Sequence, residues 1–209
     1  IKAPITAIAL NCENNRDERS RYLLVENRKV ENYVDMALYY ARMDAVYKDY
    51  MIAESNLQEV AQQVLLQNKY YLIQSHVKAE VACPDTVYSD KKWIAFILNQ
   101  LIQNSVKYGR SEGTHIQIVT KKTKSGVLLW VKDDGIGIPK EELPRIFEKG
   151  FTGTNGRNRE RSTGMGLYLC RKLCDKLNIE IRAESAEGKG TEIILMFPVS
   201  EYLTGYRET

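Results

Sequence analysis

The residues best suited to chemistry fall in three short polar stretches. The first of these, residues 133–139, directly follows a segment with a clear strand pattern. Asp133 follows an apolar run, residues 127–132, that is typical of a buried strand. A carboxylate at the end of such a strand can accept hydrogen bonds from a ligand. Gly135 and Gly137 let the backbone pass close to that ligand, because glycine has no side chain to obstruct it. Alone, the stretch is equally compatible with an ordinary strand-to-loop turn.

A second polar stretch, residues 104–108, ends a long helical pattern upstream of this turn. Asn104 carries a side-chain carbonyl oxygen, a hard ligand of the kind that Mg²⁺ prefers. Lys107 lies three residues later on the same helix face and can reach a phosphate, while Tyr108 can cover a base or sugar. The alternative is a polar helix C-terminus whose last carbonyl groups are capped by Lys107 and Gly109.

The third stretch, residues 163–167, opens another helical pattern with Gly164 and Gly166. The free amides and the positive dipole end of a helix N-terminus suit phosphate oxygens. The polar, basic segment 152–163 is typical of a mobile lid over a ligand, and a disordered surface loop would have the same composition. Phe147 and Phe151 bracket the root of that segment.

The composition predicts a globular chain without a bias toward nucleic acid or lipid. Its 209 residues are 44% hydrophobic and 27% charged, and the formal net charge is +3. We see no signal peptide and no apolar run of the roughly 18 residues that a membrane span needs, so we expect a soluble chain. Cys170 and Cys174 share a helical face and could form half of a metal site. Buried free thiols in a reducing cytosol are the favoured interpretation of the four cysteines.

Alternating helical and strand periodicities after residue 46 predict an α/β domain. A capping box at residues 55–58 predicts a helix that runs to about Gln74, and Asp90 is the expected N-cap of a helix that runs to Tyr108. The last main helix is expected over residues 164–177. The predicted strands cover residues 47–53, 77–82, 86–88, 116–120, 127–131, 179–184 and 192–197.

Residues 1–46 carry two heptad stripes on either side of a polar turn at residues 13–17, which predicts a helical hairpin that packs in a bundle. An ordinary amphipathic hairpin that covers the next domain is the alternative. The stripes are formed by Ile1, Ile5, Ile8 and Cys12 in the first helix, and by Val30, Val34, Ala37 and Ala41 in the second.

In this order, the Asn104 helix, the Asp133 turn and the helix start at Gly164 resemble the N, G1 and G2 boxes of the GHKL ATPases, and most of all those of the sensor histidine kinases. Phe147 and Phe151 resemble the F box of that family. Residues 1–5 resemble the end of its phosphoacceptor motif, so the phosphoacceptor His is expected two residues before Ile1, outside this sequence. Residues 146–153 resemble the bacterial subfamily that works with antimicrobial-peptide ABC transporters.

The resemblance implies an α+β fold in which a dimerisation hairpin (1–46) precedes a two-layer α/β sandwich ATP-binding domain of the Bergerat type (47–200) and a tail (201–209). It implies that ATP binds with Mg²⁺, and that the γ-phosphoryl group passes to the His and then to an Asp of a response regulator. Asn104 is expected to hold the metal and, with Lys107, to serve catalysis. Asp133 is expected to accept the adenine amine, with Thr191 beside it. The expected nucleotide contacts are Asn104, Lys107, Tyr108, Asp133, Gly135, Gly137, Ile138, Phe147, Thr163, Gly164, Met165, Gly166, Leu167 and Thr191.

By the same resemblance, the chain is the cytoplasmic part of a homodimeric, membrane-anchored sensor whose partner is a response regulator receiver domain, and no nucleic acid is expected. A nucleotide-binding scaffold without kinase output and a gyrase-type or chaperone-type ATPase remain as alternatives. Those ATPases usually supply a catalytic Glu near the Asn helix, and residues 93–108 contain none. Gln100 stands where the family commonly has a second Asn, which leaves its role open.

Overall fold

The computed structural model describes residues 2–14, 17–42, 50–154 and 163–199 of the chain. Several predictions fall partly or wholly outside these ranges. The regions concerned are Ile1, the centre of the predicted polar turn at residues 15–16, residues 43–49 with the predicted domain boundary and the start of the first predicted strand, the centre of the polar segment at 155–162, and the C-terminal tail at 201–209.

Two helices form the N-terminal part of the described structure, α1 (Lys2–Asn14) and α2 (Glu18–Arg42). Asn27 of α2 donates its side-chain amide to the backbone carbonyl of Ile5 in α1 at 2.8 Å. Of the residues in the predicted stripe of α1, Ile5 is buried, whereas Ile8 is 48% exposed. The two helices therefore leave apolar surface that the described part of this chain does not cover.

A small antiparallel sheet pairs β1 (Ala53–Asn56) with β3 (Thr86–Ser89). The strand predicted at residues 47–53 is wrong over residues 50–52, which are not in a strand, and only its last residue, Ala53, belongs to β1. Met51 donates its backbone N–H to the Asp90 carboxylate at 2.9 Å. That N–H is therefore taken by a side chain rather than by a strand partner.

The capping box predicted at residues 55–58 is wrong by one residue. Helix α3 (Leu57–Gln67) is capped by Asn56, whose side chain accepts a hydrogen bond of 3.0 Å from the backbone N–H three residues later. Ser55 lies in β1 instead, where its hydroxyl donates to the Ser89 carbonyl at 3.2 Å. Strand pairing occupies the serine hydroxyl and leaves the cap to the next residue.

The helix predicted to run to Gln74 is divided in two at Asn68, where α3 ends and α4 (Lys69–Gln74) begins. The Asn68 side-chain amide donates to the Val64 carbonyl and to Asn99 Oδ1, both at 2.8 Å. A buried Asn that competes with the backbone for a helix carbonyl favours a helix end. The spacing of apolar residues carries no signal of that competition.

A five-stranded mixed sheet forms the centre of the fold, with strand order β2-β4-β5-β7-β6. The β2–β4 pair is parallel and the other neighbours are antiparallel. The register sets Asp133 at the end of β5 opposite Ile116 on one side and Thr191 on the other. The predicted strands of this sheet are confirmed, within a few residues at their ends. They are β2 (Val77–Ala82), β4 (Thr114–Thr123), β5 (Gly126–Asp133), β6 (Glu180–Ala186) and β7 (Gly190–Pro198).

Helices α3, α5 (Lys91–Lys107) and α6 (Gly166–Lys176) pack on one face of this sheet and form the core with it. Asp90 caps α5 as predicted, because its carboxylate accepts the backbone N–H of Lys92 at 2.9 Å. The largest fully buried side chains come from all three helices and from the strands. They are Leu57, Ile94, Ile97, Leu98, Leu101, Ile102, Ile116, Ile118, Leu129, Leu169, Leu173 and Ile181.

The four cysteines, Cys12, Cys83, Cys170 and Cys174, are buried and free, which agrees with the favoured interpretation of inert thiols. Burial raises the pKa of Cys83 to about 11 and that of Cys174 to about 12. Within the described ranges, no three His, Cys, Asp or Glu side chains are grouped so that they could hold a metal ion. None of the helices in those ranges has the length and apolar character of a membrane span.

Candidate functional site

A cavity of about 220 Å³ lies between the C-terminal half of α5, the end of β5 and the start of α6. It brings together residues from all three polar stretches of the sequence. Three predicted contacts, Gly135, Phe147 and Met165, are not among the residues that line it. The predicted residues that do line it are Asn104, Lys107, Tyr108, Asp133, Gly137, Ile138, Thr163, Gly164, Gly166, Leu167 and Thr191.

Asp133 is the last residue of β5, and its carboxylate is held on both oxygens. Oδ2 accepts a hydrogen bond from the Ser105 hydroxyl at 2.8 Å, and Oδ1 accepts one from the Gly135 N–H at 3.0 Å. Burial raises the pKa of the Asp133 carboxyl, the hydrogen bonds from Ser105, Gly135 and Thr191 oppose that rise, and the charge of Asp134 adds to it. Burial therefore disfavours the ionised carboxylate of Asp133, and the three hydrogen bonds stabilise it.

The two glycines after Asp133 allow the turn to pack against its neighbours. Gly137 has a φ of +70°, and a Cβ there would come within 2.0 Å of the Ala186 carbonyl oxygen. A Cβ on Gly135 would lie 2.6 Å from the Tyr108 carbonyl oxygen. Gly135 thus serves the packing of the turn on the end of α5, and only Gly137 also lines the cavity.

Arg110 ties this turn to the β6–β7 connection. Its Nε donates to the Asp134 carbonyl at 2.7 Å, and its guanidinium also donates to the Gly188 carbonyl. The Gly188 N–H in turn donates to the Ile136 carbonyl at 2.7 Å. Three segments of chain are joined in this way just behind the end of β5, which fixes the backbone on that side of the cavity.

Gln100, Asn104 and Lys107 follow one face of α5 at helical spacing, and all three line the cavity. Gln100 is 5% exposed, and its Nε2 has no hydrogen-bond partner among the described residues. Buried polar groups in proteins are almost always paired, so an orphaned donor in a cavity wall marks a place for an acceptor. Lys107 Nζ lies 5.9 Å from the centre of the Tyr108 ring, at the C-cap of the helix.

The helix predicted from Gly164 begins two residues later, at Gly166. Gly164 has a φ of +63°, and a Cβ there would come within 2.3 Å of the Gly150 carbonyl carbon. The Gly150 N–H donates to the Gly164 carbonyl at 3.0 Å, so these two glycines close the base of segment 151–163. A Cβ on Gly166 would lie 2.9 Å from Gln100 Oε1, which shows how closely α6 approaches α5.

The two aromatic residues that bracket segment 152–163 have different surroundings. Phe151 lines the cavity, and the Arg145 guanidinium lies 4.6 Å from its ring centre. Phe147 packs against the core, and the Arg171 guanidinium lies 4.5 Å from its ring centre. Phe147 is therefore placed to support α6 rather than to touch a ligand in the cavity.

Several lining residues were missed by reasoning from the sequence, namely Ser105, Glu142, Tyr33 and Met36. Ser105 stands inside a polar stretch, but its contact with Asp133 depends on the packing of α5 on β5. Glu142 accepts the backbone N–H of Thr154 at 2.8 Å. Tyr33 and Met36 come from α2, far away in the sequence, and no local pattern marks them.

Comparisons with known proteins agree with this geometry. A family profile described as "Histidine kinase-, DNA gyrase B-, and HSP90-like ATPase" matches residues 89–201. The sensor protein kinase GraS of Staphylococcus aureus (strain JH1) is 36% identical over 205 residues, which cover 95% of this chain and 58% of that protein. The chain thus spans 58% of the length of the curated relatives that it matches.

Solved structures of histidine kinase ThkA have a fold similar to that of this chain. The catalytic domain of histidine kinase ThkA in a nucleotide-free form is 26% identical, with a TM-score of 0.61, and the match covers 71% of this chain and 97% of that chain. Histidine kinase ThkA in complex with response regulator protein TrrA is 22% identical, with a TM-score of 0.62 and coverage of 95% and 58%. At that identity, the second match supports the fold alone.

The matched profile spans more than half of the chain, and it contains the α5 face, the Asp133 turn and the start of α6 that together form the cavity. The chain therefore belongs to the family of histidine kinase-, DNA gyrase B- and HSP90-like ATPases.

Proposed function

We propose that this chain is the ATP-binding catalytic part of a sensor histidine kinase. The observation that carries the proposal is that the Asp133 carboxylate shares one cavity with Asn104, Lys107 and the N-terminus of α6. A nucleoside triphosphate combines a base that carries hydrogen-bonding groups with a polyanion. The Asp133 carboxylate can accept a hydrogen bond from the base. The Lys107 ammonium, the Asn104 oxygen and the free amides of α6 suit the polyanion and its metal.

Asp133 is placed to accept the exocyclic amine of adenine. Its position at the end of β5 puts it opposite Thr191, whose hydroxyl lies 3.1 Å from the Ser185 hydroxyl. Ser185 also accepts the Ile138 N–H at 2.9 Å, which holds Ile138 beside the same part of the cavity. The Asp133 carboxylate, between backbone and apolar side chains, suits a flat base whose one exocyclic amine needs a hydrogen-bond acceptor.

The phosphate groups are then expected against Lys107 and the amides at the start of α6. Gly164 and Gly166 line the cavity at this helix start, and the positive end of the helix dipole favours an anion. The Lys107 ammonium adds a full positive charge on the α5 side of the cavity.

The donors of this cavity fit Mg²⁺. Asn104 offers an amide oxygen, and the described residues hold no cluster of three acidic, His or Cys side chains that would bind a metal ion by themselves. Mg²⁺ usually keeps several waters and binds phosphate oxygens, so one protein oxygen is sufficient. Bound there, Mg²⁺ would neutralise phosphate charge, while Asn104 would hold it and Lys107 would position the phosphates.

We infer that the γ-phosphoryl group passes to a His two residues before Ile1 and onward to an Asp of a response regulator receiver domain. The name of a relative supports this, since GraS is a sensor protein kinase. The contribution of the protein to phosphoryl transfer is positioning and charge stabilisation, and the residues of the cavity provide both.

The proposal includes a homodimer formed through α1 and α2. Leu10 of α1 is 56% exposed and Tyr22 of α2 is 59% exposed, an arrangement that leaves apolar surface on both helices. Sedimentation of the chain extended upstream through the phosphoacceptor motif should give a dimer that Leu10→Lys dissociates. Leu66→Lys on α3, at 70% exposure, is the matched control and should leave the dimer intact. A monomeric extended chain would contradict this part.

The parent protein is proposed to be anchored in a membrane with this part in the cytoplasm, working beside an ABC transporter. The resemblance of residues 146–153 to the transporter-linked subfamily supports the second point. Affinity capture of the full-length parent from solubilised membranes should recover a transporter. Its absence under conditions that retain the kinase dimer would count against the assignment.

Kinase output is tested on the same extended chain with γ-labelled ATP. The expected product is a phosphohistidine that is stable to base and labile to acid, and it should disappear with chelator and decrease in the Asp133→Asn variant. Binding of ATP without any transfer of label would favour the alternative of a nucleotide-binding sensory scaffold.

A further inference from the structure

Ser105 interrupts the buried apolar stripe of α5. Ile94, Leu98 and Leu101 precede it at spacings of three and four residues, and all three are buried against the sheet. Ser105 is itself only 5% exposed. A hydroxyl placed among apolar groups costs free energy unless it is hydrogen-bonded, so its partner explains its presence.

The partner is the Asp133 carboxylate, since Ser105 Oγ donates to Asp133 Oδ2 at 2.8 Å. The Gly135 N–H occupies the other oxygen at 3.0 Å. The Thr191 backbone N–H is a third donor, and since each carboxylate oxygen has two acceptor positions, one position remains for a further donor. Ser105 thus fixes the orientation of the carboxylate without using up its capacity to accept a hydrogen bond from a ligand.

We propose that Ser105 is the positioning residue that makes this cavity select adenine over guanine, because its hydroxyl, 2.8 Å from Asp133 Oδ2, orients the carboxylate as an acceptor. The proposal rests on the nucleotide-binding function proposed above and extends it to the choice of base. Adenine presents an amine donor where guanine presents a carbonyl acceptor. An ionised carboxylate accepts from the amine and repels the carbonyl, whereas a protonated carboxyl could donate to the carbonyl.

The charge state of Asp133 is balanced between two opposing influences. Burial raises the pKa of the Asp133 carboxyl, and the hydrogen bond from Ser105 is the first of those that lower it. Removal of the hydroxyl therefore moves the pKa of Asp133 upward, toward the neutral range. Asp134, on the same chain segment, adds to the rise, while Lys107 and Tyr108 line the same cavity as Asp133. Arg110 and His115 are hydrogen-bonded to Asp134, and Glu192 forms an ion pair with Lys132 on the opposite face of the sheet.

The first experiment follows the side-chain carboxyl of Asp133 by ¹³C NMR in nucleotide-free protein, with the signal assigned from Asp133→Asn. Wild type, Ser105→Ala and Ser105→Thr are compared. The titration midpoint should rise in Ser105→Ala and return toward the wild-type value in Ser105→Thr, which keeps the hydroxyl. Equal midpoints in wild type and Ser105→Ala would overturn the proposal.

The second experiment measures ADP and GDP affinity by calorimetry from about pH 5 to 8. In Ser105→Ala, the loss of ADP affinity on acidification should begin at higher pH, with a deficit on the order of tenfold at the acid end. The ADP-to-GDP preference should shrink there as well. A loss that is equal at every pH and is not restored by Ser105→Thr would show a merely structural role.

The two measurements separate the further inference from the function on which it rests. If wild-type protein binds neither ADP nor GDP, the proposed function fails, and the selection of adenine fails with it. If ADP binds but Ser105→Ala changes neither the NMR midpoint nor the pH profile, only the role of Ser105 is refuted.

Discussion

Replacement of Asp133 by Asn tests the recognition of the adenine amine with a change of one group. The carboxylate accepts from the Ser105 hydroxyl and from the Gly135 and Thr191 N–H groups, and it retains capacity for one further donor. An Asn has only one oxygen for these donors, and its NH₂ group would face either Ser105 or the amine of the ligand. One donor in the complex is then left without an acceptor.

An unmatched buried donor costs about 1–3 kcal/mol, which corresponds to a loss of roughly 5- to 150-fold in ADP affinity. Isothermal calorimetry with ADP and Mg²⁺ measures it directly. Asp134→Asn is the matched control, because it removes a neighbouring carboxylate that accepts the His115 N–H rather than a ligand group. The control should bind ADP within a factor of about three of wild type.

The contribution of Asp133 to the pH dependence of stability has a definite sign. Because burial raises the pKa of Asp133 above its ordinary value of 3.8, the carboxylate costs stability once it is ionised. This contribution to unfolding free energy therefore falls as pH rises from that ordinary value through the raised pKa. Asp133→Asn removes the cost, so ligand-free protein should melt near neutral pH no lower than wild type, although it binds ADP more weakly.

The affinity of wild type for ADP should also fall as pH is lowered through the raised pKa, since the protonated carboxyl has lost acceptor capacity. The Asn variant should lack that dependence. Unchanged ADP affinity in Asp133→Asn would refute the assignment of the base site. A large drop in the melting temperature of the ligand-free variant would instead show that the loss of ADP affinity follows from a destabilised fold.

Further predictions concern the metal, the α6 turn and the phosphoacceptor. Asn104→Ala should reduce ADP affinity far more with Mg²⁺ than with chelator, and equal losses in calorimetry would make Asn104 structural. Gly164→Ala should weaken nucleotide binding at least tenfold, because its Cβ meets the Gly150 backbone at 2.3 Å. The control Gly188→Ala has a similar φ of +75° with nothing within 4 Å, so comparable losses in both variants would exclude the clash as the cause. The chain that begins at Ile1 should bind ATP without taking up label from γ-labelled ATP, and stable phosphate on His76 or His115, found by mass spectrometry, would contradict the assignment of the phosphoacceptor.

Much of the sheet and of the cavity is predictable from the sequence because the signals are local. Asp90 precedes an apolar helical stripe and caps it, and the strands beside Asp133 are apolar runs bounded by turns. The predicted membership of the GHKL superfamily is confirmed by the family match over residues 89–201. Asp133, Asn104 and Gly164 converge on one cavity, as the order of the boxes implies.

The errors arise where tertiary contacts decide between local options. Ser55 could have capped α3, but its pairing with Ser89 across the small sheet took its hydroxyl. Asn68 ends a helix through bonds to Val64 and Asn99, the second of which is distant in sequence. Ser105 looks like one more polar residue at a helix end until the packing of α5 brings it to Asp133. The domain boundary at residues 46–47 lies outside the described ranges and stays a prediction.

The hydrogen bond between Gly150 and Gly164 also has a consequence for how this protein can vary. Since the two anchors meet independently of what lies between them, the number of residues in between can change at little cost, about 0.6 kcal/mol for each doubling of length. Insertions within residues 155–162 should therefore be accommodated without displacing α6 or β5. The position is a natural entry point for a peptide tag.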